Sequence, residues 1–170
     1  MSTNAALPTS PTSAATTCKR ITSTILMPTD FSDSAAKTLV WAAKYLVHHN
    51  DKVILLHAIE EMHVDDDMTQ PDKQVLYQGA ERKLNEWAQE LRRQLHGKHA
   101  TIETKVAFGS AGVATVTKAA KIKPDLVVVG IHGQTDTQSA VMGPVANYIS
   151  TYLRGCPLFI VRDKVDEEAV

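Results

Sequence analysis

Short β-branched runs alternate along this chain with longer stretches whose apolar residues recur at helical spacing, and no other feature constrains the fold as tightly. Residues 24–29 (TILMPT) form a brief apolar run ending in turn chemistry, which predicts a strand. Ser32 or Ser34 can cap the helix that follows, on which Ala36, Leu39, Val40, Ala43, Leu46 and Val47 share a face and which Asn50 can close. Residues 52–59 (KVILLHAI) are apolar enough to be a strand buried on both faces. After a polar loop over 60–72, Leu76, Ala80, Leu84, Trp87, Ala88, Leu91 and Leu95 mark one stripe of a long helix. Residues 101–108 alternate like a strand with one wetter face; a helix carrying Val113, Val116 and Ala120 follows, and Pro124 stops it. A fourth strand is expected over 125–129. A helix is expected over 144–154, with Val145, Ile149, Tyr152 and Leu153 inward, and a last strand over 157–162. Strand–helix alternation of this kind implies parallel strands with helices on both faces. Ligands then bind beyond the carboxyl ends of the strands, where the strand order reverses. The candidate residues are therefore Asp30, Ala58, Gly109 and those at 130–133.

A chain of 170 residues can bury a sizeable single core. Its formal charge of −1 leaves no overall basic footprint for nucleic acid. No apolar run approaches the roughly 18 residues of a membrane span. Cys18 and Cys156 lie far apart and form no paired motif, which suits a reducing, cytoplasmic compartment rather than a disulfide scaffold or a zinc site. Residues 1–20 are rich in Ser, Thr, Ala and Pro without periodicity and read as a disordered arm. A transit segment is the alternative, with Arg20 as its only arginine. The globular domain is then expected over 21–162, with an acidic tail over 163–170.

Chemistry concentrates in the stretch DLVVVGIHGQTDTQSAVMGP, where Gly130, Gly133 and Gly143 punctuate a strand-to-helix passage. A backbone that can approach a ligand closely, opening into a helix N-terminus, is how α/β proteins make anion or nucleotide sites. Neither the dinucleotide fingerprint nor the P-loop is present. The plainer alternative is that Gly130 and Gly133 are turn residues and Gly143 an N-cap. Asp30, in PTDFS, can accept hydrogen bonds from ribose hydroxyls or an amine, or else cap the next helix.

PTDFS with its amphipathic helix, VILLHAI, and a strand ending in three glycines spaced by two and nine residues together resemble the universal stress protein family. The resemblance spans about 21–162. It implies a three-layer α/β fold, Rossmann-like and adenine nucleotide alpha hydrolase-like, with a five-stranded parallel sheet in the order 3-2-1-4-5. It implies a stress-response module that dimerises and, in one subgroup, binds ATP with a divalent ion such as Mg or Mn. By that resemblance Pro28, Thr29 and Asp30 line the adenine and ribose end, and Ala58 offers backbone contact to the base. Gly130 and Gly133 wrap ribose and phosphates, with His132 beside them. Gly143, Val145 and Ala146 present the helix start to the phosphates. The subgroup has Ser or Thr after the third glycine, and here Pro144 stands instead. Proline removes a hydroxyl and an N–H but is a favourable first helical residue. A lost hydrogen bond to a charged group is worth about 1.5–3 kcal/mol, roughly one to two decades of affinity. Weakened phosphate binding is the expectation, with AMP or adenosine held nearly as well as ATP. An interaction protein of the same fold with a vestigial pocket is the alternative function.

His57 reads as a packed or hydrogen-bonded core residue. His63 with Asp65, Asp66 and Asp67 reads as a solvated loop ahead of a metal site. Trp41 and Trp87 are expected in core packing. Catalysis has no nucleophile–base pair to rest on, so at most a slow ATPase is expected. The apolar strand 158–161 would invite pairing at a sheet edge, and the family resemblance implies a homodimer there; cover by the chain's own tail is the alternative.

Overall fold

The computed structural model describes residues 22–60, 70–133 and 142–162. The arm, the acidic tail and the cluster His63, Asp65, Asp66 and Asp67 lie outside them. Five parallel strands, β1 (Thr24–Pro28), β2 (Lys52–Ile59), β3 (Thr101–Phe108), β4 (Leu126–Gly130) and β5 (Leu158–Val161), form one sheet in the order β3-β2-β1-β4-β5. The helices are α1 (Asp33–Tyr45), α2 (Gln70–Gln94), α3 (Ala111–Ile122) and α4 (Pro144–Tyr152). Both the alternation and the strand order match the expectation from sequence.

The period-two geometry of strands splits the core into two layers. Ile25, Met27, Val53, Leu55 and Val128 face α1 and α2, packing on Leu39, Ala42, Leu84 and Leu91. Leu26, Ile54, Leu56, Val127 and Val129 face α3 and α4, packing on Ala119, Ala146 and Ile149. Being covered on both faces is why β1, β2 and β4 read as unbroken apolar runs. The chain leaves β1 toward one layer and β4 toward the other, so a crevice opens between their carboxyl ends.

Ser32 caps α1, its Oγ accepting from Ala35 N at 3.1 Å. The helix ends at Tyr45 with Leu46 as its C-cap, so Asn50 does not close it. Asn50 instead takes the left-handed conformation (φ 67°) in the turn into β2, donating its N–H to His99 O at 2.9 Å. Helix α2 starts at Gln70, inside the stretch expected to be loop; Pro71 in its first turn suits a position whose N–H has no helical partner. Helix α3 buries Gly112, Thr115 and Ala119, and leaves Val113 and Ala120 exposed. Small residues win this face because Tyr148 of α4 lies across it: a Cβ on Gly112 would meet the Tyr148 ring at 2.8 Å. Val40 and Tyr152, also expected inward, are exposed as well.

At the amino ends of the strands, carboxylates hold the chain shut. Buried Asp51 accepts from Ser23 N at 3.0 Å and from His48 N at 2.8 Å. Asp125 accepts from Thr24 N at 2.7 Å. The Lys98 ammonium donates to the carbonyls of Ala43, Lys44 and Val47 at 2.7, 3.2 and 2.9 Å, satisfying the last turn of α1 as a cation should. Asp51→Ala leaves two backbone N–H groups without partners. It is expected to cost about 1–3 kcal/mol, read as a lower urea midpoint at unchanged slope.

Candidate functional site

At the opposite end of the sheet the ladder stops and side chains take over. Thr29 N still donates to Leu56 O at 2.8 Å, holding the turn after β1 against β2. Asp30 Oδ1 accepts from Ser32 N at 3.0 Å, a local turn that sets the carboxylate ahead of α1 while Ser32 does the capping. The alternative of Asp30 as the helix cap is thereby excluded. Asp30 Oδ2 points across the crevice, and a Cβ on Gly133 would lie 2.7 Å from it.

The three glycines share one reason for being glycine, and it is space. None of Gly130, Gly133 and Gly143 has positive φ. A Cβ on Gly130 would meet Thr38 Oγ1 at 2.8 Å, and one on Gly143 would meet Ile131 O at 3.1 Å. Gly143 N donates to Ile131 O at 2.8 Å, which ties the start of α4 back to the end of β4. Gly143 is also the N-cap of α4, and Pro144 is its first residue. The first helical bond runs from Asn147 N to Gly143 O at 2.9 Å. Pro144 has no N–H, so Val145 and Ala146 carry the first-turn N–H groups that the helix itself leaves unpaired.

A cavity of about 620 Å³ occupies this end of the sheet. Ten residues singled out from the sequence border it: Pro28, Thr29 and Asp30 after β1, Ala58 at the end of β2, Gly130, His132 and Gly133 after β4, and Gly143, Val145 and Ala146 at α4. Gly109 does not. It turns with φ 106° beside a separate groove between β3 and α3, bordered by Lys105, Phe108, Lys118 and Lys121.

One wall escaped the sequence reading. Val75, Leu76, Gly79, Ala80 and Lys83 of α2 overhang the cavity. Leu76 and Ala80 belong to the stripe read as core, but α2 runs past the sheet, so the stripe's first turns cover the crevice instead. Gly79 within a helical stripe was the available signal, since a Cβ there would meet nothing within 4 Å.

Phe31 is the second omission. It sits at φ 63°, unusual for a bulky residue and a form of strain that gathers at functional sites. Its ring lies 4.2 Å from that of His57 and 5.5 Å, edge-on, from Trp87; the Lys83 ammonium stands 4.7 Å over it. Trp87 thus supports the wall of the cavity through Phe31. Trp41 instead stacks on Phe159 of β5 at 5.1 Å.

His57 is hydrogen-bonded, as expected: its Nδ1 lies 2.8 Å from Thr29 O. Burial lowers its pKa below the usual imidazole value. The bond to Thr29 and the nearby Asp30 carboxylate oppose that shift, and Lys83 adds to it. A neutral ring results, wedged between the turn after β1 and Phe31. The arrangement offers a crevice with a carboxylate on one lip, a glycine backbone on the other and two helix-end donors at one end. That is suited to a polyhydroxylated, anionic ligand.

Residues 22–162 match the model of the universal stress protein family, and the chain belongs to that family. Among solved structures it is similar to the universal stress protein UspA from Lactobacillus plantarum, with 18% identity, 82% of this chain and 97% of that one covered, and a TM-score of 0.69. It is similar to a universal stress family protein from Arabidopsis thaliana with AMP bound (15% identity, 85% and 94% covered, TM-score 0.58). The universal stress protein from Archaeoglobus fulgidus in complex with dAMP is similar at 17% identity, 82% and 97% coverage and a TM-score of 0.55. No curated protein matched the chain.

Because the glycines are small for reasons of space, Gly130→Ala should overpack against Thr38 and cost about 1–3 kcal/mol. Thr38 Oγ1 is buried with no hydrogen-bond partner among the described residues. Adding Thr38→Ala should therefore return a large part of that loss in a double-mutant cycle of urea midpoints.

Proposed function

We propose that the protein is an adenine-nucleotide-binding regulatory module. The observation that carries this reading is the meeting of Asp30 Oδ2 with Gly133 across the crevice, at the edge of the cavity that all ten residues chosen from sequence border. Asp30 would accept from the ribose hydroxyls, and the backbone from Gly130 to Gly133 would lie against ribose and phosphate. Ala58 would meet the base, and the N–H groups of Val145 and Ala146 would receive the first phosphate. The AMP and dAMP carried by the Arabidopsis and Archaeoglobus neighbours support the same class of ligand. Among the described residues no cluster of three His, Cys, Asp or Glu could hold a metal, so Mg or Mn would enter on the phosphates of ATP.

With Pro144 at the helix start, no donor from that residue follows the chain of phosphates outward. ATP is therefore expected to gain little over AMP. Isothermal titration with ATP, AMP and adenosine, with and without magnesium, tests the reading; heat from none of them would sink it. Gly133→Ala should displace the Asp30 carboxylate and weaken AMP binding tenfold or more. Pro144→Ser should raise ATP affinity relative to AMP by about one to two decades. A second reading, an interaction protein whose pocket is vestigial, is favoured specifically by Pro144; it predicts that Pro144→Ser gains nothing.

The working unit is proposed to be a dimer through β5. This strand lies at the sheet edge, and Phe159 is exposed there. Phe159→Lys should convert dimer to monomer in sedimentation velocity, and a dimer that survives it would place the interface elsewhere. Action on a partner protein under stress would follow from nucleotide occupancy rather than turnover. Among the described residues no helix is long and apolar enough to cross a membrane; a cytoplasmic site of action is part of the proposal.

A further inference from the structure

We infer that His57 selects the base of the bound nucleotide, presenting a hydrogen-bond acceptor that favours a ring with an exocyclic amine over one with a carbonyl in the same place. The inference rests on the nucleotide-site reading above and adds to it a residue for base recognition.

The tautomer follows from the partner. Thr29 O, 2.8 Å from Nδ1, is a carbonyl and can only accept, so the ring proton resides on Nδ1. A neutral imidazole has one N–H, and Nε2 is left as a bare acceptor. Among the described residues His57 makes no other hydrogen bond. Its position in the strand is equally telling. From Val53 to Ile59 every other residue is buried, and His57 alone is opened, at the cavity it borders. The ring cannot turn freely: the Thr29 bond fixes one edge, and the Phe31 ring packs against it at 4.2 Å, tilted by 34°.

An adenine 6-amino group set against Nε2 donates a hydrogen bond. A hypoxanthine 6-oxo group would set lone pair against lone pair. Protonation reverses the preference, because the imidazolium carries N–H at both nitrogens. Burial holds the free ring neutral below the usual imidazole range. The charged and titratable groups around it are Asp30 after β1, Glu60 at the end of β2, Lys83 on α2 and His132 after β4, the last bordering the same cavity. Titration of the nucleotide phosphate is common to AMP and IMP and cancels in their ratio.

The test is isothermal titration of the full chain with AMP and with IMP at about pH 8 and at a lower pH, set by following the nitrogen-15 shifts of the ring, at which His57 carries its second proton. The expected result at the higher pH is AMP tighter than IMP by about ten- to a hundredfold, the size of one well-placed hydrogen bond. At the lower pH the ratio should shrink by tenfold or more, as AMP weakens and IMP tightens. Equal affinities at about pH 8, or a ratio that does not move with pH, would overturn the inference while leaving the nucleotide site standing. Absence of binding by either nucleotide would overturn the site reading itself, and this inference with it. His57→Phe keeps a ring against Phe31 and removes the acceptor, so it should bind both nucleotides alike at both pH values. A folded variant that kept the wild-type ratio would refute the role. Nitrogen-15 shifts of the His57 ring in the wild-type protein decide independently of any variant: protonated Nδ1 and bare Nε2 are expected, and the opposite tautomer would be fatal to it.

Discussion

The central strand β1 pairs in parallel with β2 on one side and β4 on the other, and everything at the site depends on where those two ladders end. Parallel strands deliver all their carboxyl ends to one edge of the sheet. Because α1 departs to one layer and α4 to the other, neither of these two helices fills the gap between β1 and β4. Asp30 and Gly133 face each other over that gap. They are about a hundred residues apart in sequence, and the sheet register alone brings them within contact. At the other edge Asp51, Asp125 and Lys98 spend their charges on backbone groups, so one end of the sheet is closed by hydrogen bonds and the other is left open to a ligand.

Local strain marks the open end. Phe31 accepts a left-handed backbone and in return packs, tilted, against His57, meets Trp87 edge-on and receives Lys83 over its face. An aromatic pair or a cation over a ring contributes on the order of 0.5–1.5 kcal/mol, comparable with the cost of one residue in that region. The strain is thus offset locally. The same contacts fix the imidazole, and that turns an ordinary strand histidine into a directed acceptor.

The fold was legible in sequence because β1, β2 and β4 are buried on both faces and each helix shows an apolar stripe. Strand bounds at 52–59 and 101–108 coincide with the structure, and the ten residues chosen for the site converge on one cavity. Family resemblance supplied the strand order and the roles; periodicity alone gave neither. The misreadings are instructive. Val113 and Ala120 fit a helical stripe, yet Gly112, Thr115 and Ala119 are buried because Tyr148 needs a flat partner. Leu76 and Ala80 fit the core stripe of α2, yet they overhang the cavity because α2 extends beyond the strands. A stripe tells which side of a helix is apolar; what that side meets is a matter of lengths and crossing positions.

Composition, alternation and the three glycines by themselves determined a parallel α/β domain with a candidate anion site after its fourth strand. Those are local properties, carried by side-chain spacing and backbone chemistry. Only the tertiary structure decided why the glycines are glycine: their φ values are ordinary, and what excludes a Cβ is Thr38, Asp30 and Ile131 arriving from other elements. It also decided that His57 must carry its proton on Nδ1, since the carbonyl that demands it belongs to Thr29, 28 residues away and adjacent only through the sheet.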